Sequence, residues 1–189
     1  PKLLQSLKAV LKNRPFFLAL GLYFGTWVAV EIMQAVLLYF IKYCLRRETQ
    51  SDLLMATIFV AAILALPFWN WLAQRWNKRS TYIFGILFWI TVQMVIICLG
   101  PSSPLSLLIP LCVLAGVGVG AAHVLPWAIL PDSIEWDEWQ TGQRHEGLFY
   151  SIVTLAHKAG GSIAIPLVLL LMQASGYQPN VIEQHPRSI

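Results

Sequence analysis

One lysine lies deep inside an apolar stretch of this 189-residue chain. Lys158 stands ten residues beyond Leu148, where an apolar run resumes, so it lies about 15 Å along a helix that starts there. An ionisable group at that depth in hydrocarbon is costly, and its usual surroundings are a cavity or a partner. Ser151, Thr154 and Ser162 share its face, at the spacing that stacks side chains into one stripe. Hydroxyls around a single cation describe the wall of a wet cavity; the structural alternative is a lysine paired with a carboxylate between helices. Gly160 and Gly161 thin the helix beside it, and Pro166 can kink it.

A second ionisable group, Glu31, shares a face with Tyr23, Trp27 and Gln34. That aromatic, carboxylate and amide stripe suits a polar substrate, an amphiphile or a counter-ion for Lys158. The alternative is a protonated glutamate hydrogen-bonded to a neighbouring helix, since burial disfavours the charged form. His123 and Trp127 share a face with Gly116 and Gly120, where a single histidine is either a proton relay or a packing residue. His157, next to Lys158, reads as packing. The alternation Gly116, Gly118, Gly120 lacks the spacing and the preceding strand of a dinucleotide fingerprint, so close helix approach explains it better. The stretch 131–147 reads as a polar loop rich in carboxylates, with Trp136 and Trp139 interleaved. It is taken as an ion-pair latch or a solvated interface segment rather than a metal site. No Walker sequence, zinc-protease motif, paired catalytic acids or nucleophile elbow occurs.

These residues need helices to carry them. The chain is 57% hydrophobic and 12% charged, against roughly 25% charged in soluble domains, and its charges cluster between long apolar runs. Five spans are predicted, at 16–40, 53–73, 82–99, 105–130 and 148–174. Each is close to the roughly 20 residues that cross about 30 Å of hydrocarbon. Helices satisfy their own backbone in lipid, and the alternating strands of a barrel are missing. Cys44, Cys98 and Cys112 lie in or beside apolar runs without metal-ligand spacing, so no disulfide framework is expected. Lys2, Lys8, Lys12, Arg14, Arg75, Lys78, Arg79 and Arg144 fall on one side, against Lys42, Arg46, Arg47 and Arg187 on the other. The richer side is assigned to the cytoplasm, which places the N-terminus inside. The basic residues are therefore topology signals, and no nucleic acid is expected as a partner. The chain begins at Pro1 without a methionine and shows no signal peptide, which fits a piece of a longer protein.

The run Leu125-Pro126-Trp127-Ala128-Ile129-Leu130-Pro131-Asp132, the run from Glu138 to Gly147 and the segment from Thr154 to Ser162 resemble the glycoside–pentoside–hexuronide:cation symporters. These are the melibiose permease group of the major facilitator superfamily. Glu31, the segment Pro67-Phe68-Trp69-Asn70-Trp71 and Leu125-Pro126-Trp127 are also similar to the animal sodium-dependent lysophosphatidylcholine symporters of the same family. The resemblance implies helices seven to eleven of twelve, with the N-terminal half and the last helix outside this chain. It implies substrate and coupling roles for Thr154 and Lys158, and an intramembrane glutamate at Glu31. The loop from Trp71 to Arg79 is similar to the superfamily's cytoplasmic gating motif, with Gln74 and Asn77 in place of the usual acidic residue and glycine.

The expected fold is therefore all-α: a polytopic membrane helix bundle, the C-terminal half of a major facilitator fold, over 1–174, with an external tail at 175–189. The expected activity is cation-coupled symport of a sugar or glycoside, in the plasma (inner) membrane. A lysophospholipid:sodium symporter is the alternative, and a non-transporting membrane scaffold the alternative of another class. An enzyme is not expected. The substrate and coupling set is Lys158, Thr154, Glu31, Trp127, His123 and Ser151; the cytoplasmic gate is Asp132, Glu138, Arg144, Glu146 and Arg75. No cofactor or protein-bound metal is expected. A coupling Na+ or H+ would find its main ligands in the N-terminal half. Membrane lipid, a small solute and that half are the expected partners.

Overall fold

A computed structural model describes residues 13–46, 48–142 and 145–174, with the side chain of Thr141 left out. Five long helices carry them. α1 is Arg14–Tyr39, prolonged by one π-helical turn at Phe40–Cys44. A 3-10 turn at Glu48–Gln50 leads into α2, Ser51–Arg75. α3 is Lys78–Ile97, α4 Leu105–Thr141 and α5 Glu146–Ala174. All five are long and apolar enough to cross a membrane, by length and composition. Lys2, Lys8, Lys12, Arg47, Arg144, Arg187 and the tail 175–189 lie outside the described residues.

The helix starts follow local chemistry. Asn13 precedes α1, and its Oδ1 accepts from the amide of Phe16 at 3.0 Å. Pro15 follows in the first turn, where its missing donor would be unpaired anyway. Asn77 caps α3 in the same way, accepting from the amide of Ser80 at 2.6 Å. At the far end of α1, Lys42 pairs with Glu48 at 2.6 Å, which neutralises part of the basic group on the side with fewer positive charges.

α4 departs from the sequence expectation. It does not end near Leu130 in a polar loop but runs on to Thr141. Its 37 residues make it about 55 Å long, nearly twice the hydrocarbon thickness. Pro131 removes one hydrogen bond, to the carbonyl of Trp127, without stopping the helix, because no glycine interrupts residues 132–141. The stop comes at Gly142, whose φ of +66° suits a residue with no Cβ; its amide closes on the Glu138 carbonyl at 2.9 Å.

α4 is also the centre of the bundle. It packs most extensively on α2 and then α3, and α1 lies against both α4 and α5. Its glycines allow this approach, and they divide the work between two faces. A Cβ at Gly116 would run into the α2 backbone at Ile58 and come 2.7 Å from the Cβ of Ala61; one at Gly120 would meet the Ala62 carbonyl at 2.9 Å. A Cβ at Gly118, half a turn round, would come 2.6 Å from the Trp89 ring on α3. With no hydrophobic drive between helices in lipid, such contacts rest on close van der Waals packing. Trp69 of α2 adds a hydrogen bond, its Nε1 donating to the Val117 carbonyl at 2.7 Å.

Gly116→Ala is therefore expected to destabilise the detergent-solubilised protein by about 1–3 kcal/mol, read as a lowered thermal midpoint. Gly21→Ala, on α1 with nothing within 4 Å of an added Cβ, is expected to leave that midpoint unchanged or slightly raised.

Candidate functional site

α5 carries two chemically different faces. Phe149, Val153, Gly160, Ala164 and Val168 are buried, and the neighbour of this face is α1. Ser151, Thr154, Lys158 and Ser162 are exposed; at 100° per residue, Lys158 lies about 160° round the helix from Gly160. The hydroxyls of the stripe turn inward to their own backbone. Ser151 donates to the Gly147 carbonyl, Thr154 to that of Tyr150 and Ser162 to that of Lys158, at 2.7–2.8 Å. Their donor protons are thereby used, and their oxygen lone pairs remain available to accept. Tyr150, Ser151, Thr154, Leu155 and Lys158 line an open groove of about 420 Å³. No ion pair joins Lys158 to Glu31 or to any other acid among the described residues. The counter-ion reading of Glu31 thus has no contact in its support; Glu31 itself is half-buried on α1.

Trp127 and His123 belong to a different assembly, where α1, α4 and α5 converge. Tyr23 of α1 is 2% exposed, and its hydroxyl lies 2.9 Å from Nδ1 of His157. The Trp27 ring sits 4.0 Å from the His157 ring and 5.3 Å from that of His123, centroid to centroid. Trp127 meets the Tyr23 ring edge-on at 5.1 Å and stacks with Tyr150 at 6.5 Å. His123 Nδ1 lies 3.0 Å from the Val119 carbonyl. A carbonyl only accepts, so Nδ1 carries the proton and Nε2 of the neutral ring is an acceptor. Trp27 Nε1 is buried and lacks a hydrogen-bond partner among the described residues. Tyr150 is the link between the two assemblies, since it also lines the Lys158 groove.

Lys158, Thr154 and Ser151, which the sequence puts on one stripe, share an exposed face, and His157, read as packing, is packed against Trp27 and bonded to Tyr23. A signal was present: His157 follows Tyr150 by seven residues and Val153 by four, so it lies towards the side of α5 that Gly160 opens to α1.

The opposite end of the polar region, which the charge count assigns to the cytoplasm, is tied more tightly than a loop would be. Asp132 pairs with Lys78, not Arg75; the Arg75 guanidinium lies 6.0 Å from the Trp71 ring centre. Asp137, on the α4 extension, accepts from His145 Nδ1 at 2.8 Å, and both side chains are at least nine-tenths buried. The Asn13 side chain donates to the Ser133 carbonyl at 3.2 Å, and Phe16 meets Phe149 edge-on at 4.4 Å. Glu138 and Glu146 are exposed at the end of α4 and the start of α5, and Arg144 lies outside the described residues. An apolar groove of about 560 Å³ between α2 and α4, walled by Leu53, Val60, Leu64, Phe68, Val113 and Val117, offers no ionisable side chain.

The family profile described as MFS/sugar transport protein matches residues 1–188. A symporter of Synechocystis sp., itself uncharacterized, is 34% identical over 93% of this chain and 32% of its own length. The sodium-dependent lysophosphatidylcholine symporter 1-A of Danio rerio is 27% identical over 95% of the chain and 34% of its own length. The isoprimeverose transporter of Lactiplantibacillus pentosus is 30% identical over 93% and 36%. The chain thus spans about a third of the length of the curated relatives it matches.

Burial separates the two ion pairs at the polar end. A double-mutant cycle on Lys78 and Asp132, half-exposed at 41% and 54%, is expected to give less than about 1 kcal/mol in thermal stability. His145→Ala alone, which removes a donor from buried Asp137, is expected to cost about 1–3 kcal/mol and to speed proteolysis between α4 and α5.

Proposed function

The chain belongs to the MFS/sugar transport protein family, and from that membership we propose that it forms the C-terminal bundle of a cation-coupled symporter, with Lys158 and Thr154 at its solute site. The family is one of transporters rather than enzymes, and the chain is a multi-pass membrane protein. The observation that carries the reading is the exposure of Lys158, about 18 Å into α5, on a hydroxyl-bearing face that none of the other four helices covers. An ammonium there cannot rest against acyl chains without a large penalty. Water, a solute or the remainder of the carrier must lie beside it. Carriers of this kind hold solute near the midplane between two halves that rock about the site. This bundle, a third of its relatives' length, would supply one wall of such a site.

The solute proposed first is a sugar or glycoside, in keeping with the isoprimeverose transporter among the relatives. A lysophospholipid is the second reading, supported by the similarity to the lysophosphatidylcholine symporter and by the apolar groove between α2 and α4. Na+ or H+ would bind mainly through the N-terminal half and favour the solute-competent state. Such coupling is a free energy shared by both ligands, about 1–3 kcal/mol in typical cases.

The test is uptake into vesicles bearing the full-length carrier, with labelled isoprimeverose and labelled lysophosphatidylcholine, with and without a sodium or proton gradient. One probe is expected to accumulate only when a gradient is imposed. Lys158→Ala is expected to abolish that accumulation while membrane insertion stays normal. Undiminished accumulation by this variant would remove Lys158 from the site.

A further inference from the structure

We infer that His157 is a positioning residue: through its bond to Tyr23 it sets the rotation of α5 about its own axis and so aims Lys158. The inference rests on the reading of Lys158 given above and adds to it the device that holds the lysine in place. His157 and Lys158 are consecutive, so their side chains leave the helix about 100° apart. Whatever fixes the direction of one fixes that of the other.

The contacts that hold α5 on α1 differ in how well they resist rotation. Val153, Ala164 and Val168 are aliphatic, and dispersion between such groups has little directional preference. Gly160, with Phe24 and Val28 of α1 at 3.1 and 3.2 Å from the place a Cβ would occupy, permits close approach but also lacks a handle. The Tyr23 hydroxyl and His157 Nδ1, 2.9 Å apart, form a bond that weakens steeply with angle. Breaking it strands a hydroxyl on a residue only 2% exposed, far from water. Both partners are themselves braced. Trp27 lies on the imidazole at 4.0 Å, and Tyr23 is held edge-on by Trp127 of α4 at 5.1 Å. The azimuth of α5 is thereby referred through Tyr23 to the central helix α4, and Lys158, with Thr154 and Ser151, is kept on the open side.

The rotation can be read without any solute. In the full-length carrier with its native cysteines replaced by alanine, single cysteines are placed at Thr154, on the exposed stripe, or at Val153, which is 1% exposed. Their rates of labelling by a membrane-impermeant methanethiosulfonate are compared, with Lys158 left intact. The parent is expected to label at 154 much faster than at 153. Tyr23→Phe keeps the ring and its packing but removes the bond, and is expected to bring the ratio toward parity. His157→Asn, which can still accept from the Tyr23 hydroxyl, is expected to keep the parent ratio, whereas His157→Phe loses it. In uptake of the transported probe, Tyr23→Phe should raise the half-saturation concentration and His157→Asn should not. A labelling ratio unchanged by both Tyr23→Phe and His157→Phe overturns the inference. So does a ratio that shifts while the half-saturation concentration stays at the parent value. If the parent accumulates neither probe, the transport reading fails, and the labelling ratio still decides whether His157 orients the helix.

Discussion

The ammonium of Lys158 must be solvated, and it sits near the middle of a helix about 43 Å long whose surroundings are otherwise hydrocarbon or protein. Two arrangements could meet that demand: a carboxylate packed beside it, or an aqueous space. Among the described residues no acid pairs with it, and its side of α5 is open. The bundle accordingly has two kinds of exposed surface. α2 and α3 expose Leu53, Ile63, Leu64, Leu87, Ile90 and Met94, which suit acyl chains. The stripe of Ser151, Thr154 and Lys158 suits something wet.

Everything else in the fold can be seen as supporting that one face. α4 is drawn tightly against α2 and α3 by alternate glycines, giving a closely packed three-helix base. α1 packs on that base and is the main neighbour of α5, which also meets α4 through Trp127 and Tyr150. Its position is secured at one end by Phe149 against Phe16 and by His145 against Asp137, and in the middle by the aromatic and histidine cluster.

Much of this was legible in the residues. Hydropathy and charge located the spans, because lipid tolerates few structures and punishes misplaced charge. The Lys158 stripe followed from helical spacing alone. The end of α4 did not: Pro131 and the carboxylates after it looked like a loop, but no glycine or further proline interrupts 132–141 and the helix runs on to Gly142. The partner of Asp132 was not readable either, since Arg75 closes α2 and Lys78 opens α3, and only packing decides that Lys78 reaches α4. The bond of His157 to Tyr23 was unreadable for a related reason: Tyr23 is 134 residues away, and no pattern within α5 names that partner.

A solvated Lys158 requires the side of α5 that bears it to be wet in the complete carrier. Collision accessibility of a nitroxide at Ser162, one turn from Lys158 on the same stripe, measures this directly in lipid bilayers with the lysine untouched. A water-soluble nickel chelate is expected to relax that label more strongly than molecular oxygen does, with the opposite order at Leu87 on α3. Oxygen dominating at both positions would mean the stripe faces acyl chains and would contradict the account.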